Sequence, residues 1–334
     1  MPRILGTGLV ALDLIVQHRA GEQQLSASGG GTSANVTAIL SRMGWNASWL
    51  GEIDHSRAGQ VVRKDMHRAG VELHTVPGPK ASPTAIFAHH IAHESDGSCR
   101  HWFSDRCPHC DRKLPSYRRP SDSWLGAQVR HAQQADVFFV DRLSSAALDL
   151  AHAARRHGAL VVYEPSTASD APWMDEMIEL ADIVKFSSDR CHALEGVTPT
   201  NREALWVETL GRDGLRWSLG SLEAHREHVP AVVNSKAIDA CGAGDWLTSA
   251  LLFGLARSGK PPSRMVRNEL TQVLTVASHV AAWSVGYLGA RGALYDAPVH
   301  SIFELLMQPA SERTPAPSTI VRPKPTQTFY CAFA

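Results

Sequence analysis

The chain has 334 residues, of which 44% are hydrophobic, and it carries 33 basic and 33 acidic side chains. That balance argues against a nucleic-acid-binding or membrane-surface protein, because such proteins normally present a basic face. Six cysteines in a chain of this size do not indicate a disulfide framework, and the sequence lacks the run of roughly 18 uncharged residues that a membrane helix needs. We therefore expect a cytoplasmic protein that binds neither nucleic acid nor membrane.

Strand and helix patterns alternate along most of the chain. Residues 1–16 are apolar but interrupted by Asp13, which favours a first buried strand over a secretion signal. Strands are predicted at 3–10, 47–53, 137–140, 160–163, 183–186 and 206–209. Helices are predicted at 34–43, 59–69, 145–157, 173–181, 246–257 and 270–285. This alternation predicts a mostly parallel sheet with helices on its faces.

Two parts of the chain depart from that alternation. Extended runs at 84–92 and 99–103 flank Asp96-Gly97, which is a strong hairpin signal. Together with the less regular segment 14–28, they predict a small β lid beside the main sheet. Residues 311–334 are rich in Pro, Ser and Thr and predict a C-terminal tail, so that the folded domain spans residues 1–310.

A glycine-rich turn precedes the first of the two long C-terminal helices. It reads Ile-Asp-Ala-Cys-Gly-Ala-Gly-Asp from Ile238 to Asp245. Glycines at a helix N-terminus let the backbone approach an anion, which the helix dipole also favours. An aspartate there would repel that anion, but it could accept a proton from a hydroxyl that attacks a phosphate. An N-cap aspartate with ordinary turn glycines fits the spacing equally well.

Residues 239–245 resemble the C-terminal signature of the ribokinase, or PfkB-type, family of sugar and nucleoside kinases, which ends in Gly-Ala-Gly-Asp. The resemblance implies that Asp245 is the catalytic base. It also implies that the backbone of Gly242, Ala243 and Gly244 forms an anion hole for the transferred phosphoryl group.

The N-terminal region is similar to the same family. Residues 29–44 resemble its N-terminal signature and residues 6–13 its first strand, which implies that Asp13, Gly30, Gly31 and Asn35 bind the substrate. A carboxylate accepts from two sugar hydroxyls, and an amide both donates and accepts. A strand-end aspartate, a helix-start asparagine and turn glycines are the ordinary alternative.

The resemblance extends over roughly residues 3 to 305. It implies a ribokinase-like three-layer α/β/α sandwich with a small β lid, ATP and Mg²⁺ as cofactors, and K⁺ in addition. Residues 209–214 resemble the strand and turn near the nucleotide, and residues 286–292 the loop over the adenine and a monovalent cation. The implied nucleotide-binding residues are Ser187, Arg190, Thr209, Gly211, Gly214 and His279. The implied ligands of the monovalent cation are Asp239 and Cys241.

The chain departs from the family at its Asn-x-x-Glu motif, which helps to organise Mg²⁺ and phosphates. Ser187 takes the Asn position and Arg190 the Glu position, so that a basic group replaces an acidic one. Asp189 could supply a carboxylate one residue early, or Arg190 could contact phosphate directly. The change also keeps open a catalytically weakened protein that senses a sugar or nucleotide.

A second departure is a group of cysteines and a histidine at residues 99–110. Cys99, His101, Cys107 and Cys110 are enough ligands for a tetrahedral zinc site at the base of the lid. Reduced structural thiols and a redox pair are the alternatives.

Together these features predict an ATP-dependent kinase that phosphorylates a hydroxyl of a sugar or sugar-like molecule. A nucleoside kinase is the alternative, in which Phe87, Trp102 and Phe103 of the lid would stack on a base. The sequence is compatible with a homodimer.

Overall fold

The computed structural model describes residues 1–19, 22–77, 81–93, 99–165, 171–189, 194, 201, 203–220 and 226–307. The predicted Asp96-Gly97 turn, Arg190 and the tail at 311–334 lie outside the described residues. In the described part of the chain, no helix combines the length and the apolar character needed to cross a membrane.

The strands form a large sheet and a small one. The strands of the large sheet are β1 (Arg3–Thr7), β4 (Asn46–Gly51), β5 (Glu72–Thr75), β8 (Val137–Val140), β9 (Leu160–Tyr163), β10 (Ile183–Ser187), β11 (Leu205–Thr209), β12 (Leu215–Leu219) and β13 (Glu227–Val229). The strands of the small sheet are β2 (Ala11–Arg19), β3 (Glu22–Gly30), β6 (Ala85–His93) and β7 (Cys99–Ser104).

The large sheet has the order β13-β12-β11-β10-β9-β8-β1-β4-β5. Its strands pair in parallel except at one edge, where β12 pairs antiparallel with both β11 and β13. Side chains of its central strands alternate between two apolar layers, because successive residues point to opposite faces. Ile4 belongs to one layer and Leu5 to the other, and Phe139 and Phe138 divide in the same way.

Helices cover both faces of the large sheet. The helices are α1 (Thr32–Arg42), α2 (Arg57–Arg68), α3 (Asp122–Gly126), α4 (Val129–Gln134), α5 (Ser145–Arg156), α6 (Ala171–Leu180), α7 (Ala243–Ser258), α8 (Arg267–Ser284), α9 (Gly292–Asp296) and α10 (Val299–Met307). Helices α1, α2, α7, α8 and α10 contribute to one apolar layer, and α3 to α6 to the other. The predicted three-layer sandwich is confirmed.

The small sheet has the order β3-β2-β6-β7 and forms the predicted lid. Its segments extend beyond the predicted 14–28 and 84–103, and β2 pairs with β6 in parallel. The segment expected to be irregular is two paired nine-residue strands, β2 and β3. The sequence pattern is weak there because β3 is mostly polar on both faces, so it lacks the alternation of a half-buried strand.

Candidate active site

Helix α7 begins at the glycine-rich turn and carries Asp245 in its first turn. Gly242, just before the helix, has a left-handed φ of 78°, and a Cβ there would lie 2.6 Å from the Cα of Ala290. The indole N–H of Trp246 donates to the carbonyl of Ala290 at 3.0 Å, so the turn is fixed against the loop that precedes α9. The first amides of a helix have no intrahelical acceptor and can bind an anion, although here the Ala243 amide donates to the Ala240 carbonyl at 3.3 Å.

A buried chain of polar contacts leads from Asp245 across the site. The amide Nδ2 of Asn35, on α1, donates to Asp245 Oδ2 at 2.6 Å. Its Oδ1 accepts from Arg291 Nε at 2.8 Å, and the Arg291 guanidinium also pairs with Asp65 on α2. The contacts fix the amide orientation of Asn35, because one side faces a carboxylate and the other a cation. Sequence reasoning missed Arg291 and Asp65. A charged residue between Ala290 and Gly292 in an apolar stretch was the available signal.

Asp13 lies on lid strand β2 and is buried. A Cβ at Gly30 would lie 2.0 Å from Asp13 Oδ2, so a residue with a side chain at position 30 would displace the carboxylate. Gly31 follows as the N-cap residue of α1, which also carries Asn35. The predicted substrate residues are therefore brought together where the lid meets α1.

Burial raises the pKa of both carboxyls at this place to about 7. For Asp245 the negative Glu164 adds to the effect on the pKa, whereas Lys185 and the hydrogen bond from Asn35 oppose it. For Asp13 the Arg291 cation opposes the rise in pKa, and the charge of Asp245 adds to it. A carboxylate with a pKa near 7 is suited to accept a proton at neutral pH.

A second buried cluster supports the turn from the sheet side. Lys185 Nζ, on β10, donates to Glu164 Oε2 at 2.9 Å and to the Gly244 carbonyl at 3.1 Å. Thr248 on α7 also donates to Glu164, which directly follows β9. Sequence reasoning missed this cluster, although a lysine inside the buried strand β10 is itself unusual. It ties the carboxyl end of the sheet to the turn that carries Asp245.

Most of the residues predicted to bind nucleotide lie at the carboxyl ends of β10 and β11. Ser187 and Thr209 are paired across these parallel strands. Gly211 and Gly214 lie in the turn after β11, where the Leu210 amide donates to the Gly214 carbonyl at 2.8 Å. His279 is half-buried on α8. Ligands of open α/β sheets bind outside these strand ends.

The predicted cation ligand Asp239 is buried and hydrogen-bonded by backbone. Its Oδ1 accepts from the Cys241 amide at 2.9 Å and its Oδ2 from the Gly289 amide at 2.7 Å. The carboxylate therefore joins the segment before α7 to the loop before α9.

The structure gives the predicted zinc site no support. In the described residues Cys107 is buried and Cys110 exposed, and they do not belong to a group of three close ligand atoms. The side chain of Cys99 lies outside what the structure describes. Among the described residues, the group whose ligand atoms do approach one another is His89, His101 and Asp239.

The lid aromatics divide between its two faces. Phe87 pairs with Asp13 across β2 and β6, and Phe103 pairs with His89 across β6 and β7. Paired residues share a face, and so do residues two apart, which places both rings on the Asp13 side. Trp102 pairs with His90 and lies on the other side.

Comparison with known proteins identifies the family. The model of the pfkB family of carbohydrate kinases matches residues 4–297, and the chain belongs to that family. The predicted ribokinase-like fold and kinase class are confirmed.

Individual relatives are distant but cover most of the chain. Fructokinase of Escherichia coli is 23% identical over 286 residues, which are 79% of this chain and 88% of that protein. Aminoimidazole riboside kinase of Salmonella typhimurium is 26% identical over 281 residues, which are 79% of this chain and 84% of that protein.

A solved structure with the same fold is a double mutant of fructokinase from Vibrio cholerae O395 with fructose, ADP and potassium ion bound. Its TM-score is 0.62 at 20% identity, over 90% of this chain and 98% of that one.

Proposed function

We propose that this protein transfers the γ-phosphoryl group of ATP to a hydroxyl of a sugar or sugar-like substrate, with Asp245 as the base. The observation that carries the proposal is Asp245 itself. It is a buried carboxylate in the first turn of α7, hydrogen-bonded to Asn35, with a pKa of about 7. Both family signatures therefore meet in one contact between α1 and α7.

The substrate hydroxyl would be held by Asp13 and Asn35, with the backbone of Gly30 and Gly31 close to the sugar ring. Asp245 would take the proton of that hydroxyl as the oxygen attacks the phosphorus in line. The amides of Gly242, Ala243 and Gly244 would stabilise negative charge on the transferred group. Lid closure would exclude water and limit hydrolysis of ATP.

The nucleotide would lie over the ends of β10 and β11, beside Ser187, Thr209, Gly211 and Gly214. Mg²⁺ binds mainly through phosphates and water with one or two carboxylates. Exposed Asp189 after β10 and buried Glu164 after the neighbouring strand β9 are two described carboxylates near this place. When bound, Mg²⁺ neutralises charge on the phosphates.

Two parts of the nucleotide region rest on resemblance alone. Arg190 and His279 are proposed as further nucleotide contacts, and Asp239 and Cys241 as ligands of K⁺. Activity measured in K⁺ and in Na⁺ tests the monovalent-cation proposal.

A nucleoside acceptor is the second candidate. Phe87 and Phe103 lie on the Asp13 side of the lid, where an aromatic face would stack on a base. The similarity to aminoimidazole riboside kinase favours the same alternative. A catalytically weakened sensor is not favoured, since the relatives are kinases.

A reducing cytoplasm is the compartment that we propose, because six cysteines in a chain of 334 residues do not indicate a disulfide framework.

The test is ADP release from Mg-ATP across a panel of sugars, sugar phosphates and nucleosides. We expect turnover with at least one acceptor, and a loss of roughly 10²–10⁴-fold in kcat for Asp245→Asn. Circular dichroism and the melting temperature check that the variant is folded. Wild-type activity in Asp245→Asn, or no turnover with any acceptor, would contradict the proposal.

A further inference from the structure

We propose that His89, His101 and Asp239 form a binding site for a divalent transition-metal ion. Zn²⁺ is the ion for which the geometry is compared and the binding is tested. His89 lies on β6 and His101 on β7 of the lid, whereas Asp239 lies in the segment before α7. The site contains no cysteine, although it shares His101 with the zinc site predicted from the sequence and Asp239 with the proposed K⁺ site.

The distances suit a metal that draws the three side chains slightly together. His89 Nε2 lies 3.5 Å and His101 Nδ1 lies 3.9 Å from Asp239 Oδ1, and the three atoms all lie within 4.8 Å of one another. Zinc bonds of about 2.0–2.2 Å place tetrahedral ligands about 3.4 Å apart. The closest pair already meets that spacing. His101, with 37% of its side chain exposed, is the ligand that can move to complete it.

His89 is the observation that points most directly to a ligand. Its side chain is 0% exposed, and neither ring nitrogen has a hydrogen-bond partner among the described residues. Buried polar atoms normally have partners, so an unpaired imidazole needs an explanation. The ring is fixed by stacking on Phe103, with centroids 4.7 Å apart and planes at 18°. A metal on Nε2 would satisfy the nitrogen that faces Asp239.

Asp239 is prepared as the third ligand. The Cys241 and Gly289 amides hold its two oxygens, and carboxylates that bind metals are usually hydrogen-bonded in this way. Two imidazoles and one carboxylate leave a fourth position for water or another oxygen, which is a common arrangement for zinc. The exposed side of His101 gives the ion a path from solvent.

The ion would connect two bodies that move relative to each other in a kinase with a lid. Strands β6 and β7 belong to the lid, and Asp239 belongs to the loop that leads into the turn of Asp245. A bound metal would therefore oppose opening of the lid.

The experiment is a titration of chelator-treated protein with Zn²⁺, followed by calorimetry, and with Co²⁺, followed by visible absorption. We expect one ion per chain, a tetrahedral Co²⁺ spectrum and no thiolate charge-transfer band. His101→Gln should weaken Zn²⁺ binding by at least about 100-fold, because it removes a ligand and not only a supporting contact.

His90→Gln is the matched control. His90 neighbours His89 on β6 but lies on the opposite face of the lid, where its Nδ1 is 3.0 Å from His18 Nε2. We expect its Zn²⁺ affinity to equal that of the wild type. His89→Gln tests the buried ligand. If His89→Gln does not fold, His101→Gln decides the result.

Hydrogen exchange gives an independent readout, since Zn²⁺ should slow exchange in 85–93 and 99–104 in the wild type but not in His101→Gln. Absent Zn²⁺ binding, unchanged affinity in His101→Gln, or a thiolate band with Co²⁺ would each overturn the proposal. Binding is measured without turnover, so the result does not depend on the proposed kinase activity.

Discussion

Asp245 lies among charges of both signs, and their arrangement sets when it can accept a proton. Burial and the negative charge of Glu164 raise its pKa, whereas Lys185 and Asn35 lower it. The net pKa of about 7 means that the carboxyl is protonated in mild acid and available as a base above neutrality. Asp13 has a similar pKa and interacts with Asp245, so activity should follow apparent pKa values of the pair.

Glu164→Gln should move the acidic limb of the pH–activity profile to lower pH. The substitution removes the negative charge that raises the pKa of Asp245. The amide of the glutamine still places polar atoms near Lys185. The measurement is kcat/KM from pH 5 to 9 for both proteins.

Glu269→Gln is the control for that prediction, because it also breaks a lysine pair, but an exposed one with Lys260. Its pH profile should match the wild type. An unchanged acidic limb in Glu164→Gln would show that Glu164 does not control the pKa of the proposed base Asp245.

Asp13→Asn should make the folded protein more stable and the protein less active. The pKa of Asp13 is about 7 in the folded protein against 3.8 for the free group, so ionisation destabilises the folded state progressively between these pH values. At pH 8 the free energy of unfolding of the variant should be a few kcal/mol higher than that of the wild type. At pH 5 the difference in the free energy of unfolding should be smaller. Thermal melts at both pH values measure this, and the KM for the acceptor should rise. A wild type at least as stable at pH 8 would disprove the argument.

Trp246 fixes the first turn of helix α7 to the loop before helix α9. Its indole is buried, donates to the Ala290 carbonyl and packs edge-to-face on Trp283 with centroids 5.4 Å apart. These two contacts hold the turn at the start of α7 against α8 and the loop before α9.

Trp246→Phe should lower the free energy of unfolding by about 1 kcal/mol more than Trp206→Phe. Trp206 is also buried, but its indole N–H has no hydrogen-bond partner among the described residues, so the control loses ring volume without losing a bond. Urea unfolding compares the two, and Trp246→Phe alone should also lower kcat. Equal losses would mean that the indole hydrogen bond contributes nothing.

The main elements could be predicted because their patterns are local. The strands at 137–140 and 160–163 were predicted with the bounds that the structure gives, since buried parallel strands are short apolar runs. The lid strand β3 could not, because its polar residues face solvent or the site. At the site, the two glycine signatures and Asp245 were found as linear motifs. Arg291, Lys185 and His89 gain their meaning only from contacts with residues far away in the sequence.

The proposed domain of residues 1–310 contains every described helix and strand, and the family match ends at residue 297. A protein truncated after residue 310 should therefore keep the melting temperature and kcat of the full chain. Side-by-side thermal melts and ADP-release assays check this. A fall in either would show that the tail contributes to the folded domain or to the site.

The hydrogen bond between Asn35 and Asp245 joins residues 210 positions apart. Contacts of such long range form late, because the chain must lose the entropy of a large loop before they contribute. A nascent chain on the ribosome would contain Gly30 and Gly31, which are proposed to bind the acceptor, long before the proposed base Asp245 emerges. During refolding from urea, recovery of turnover should thus lag behind recovery of helical signal, and a half-made protein would have no means to consume ATP.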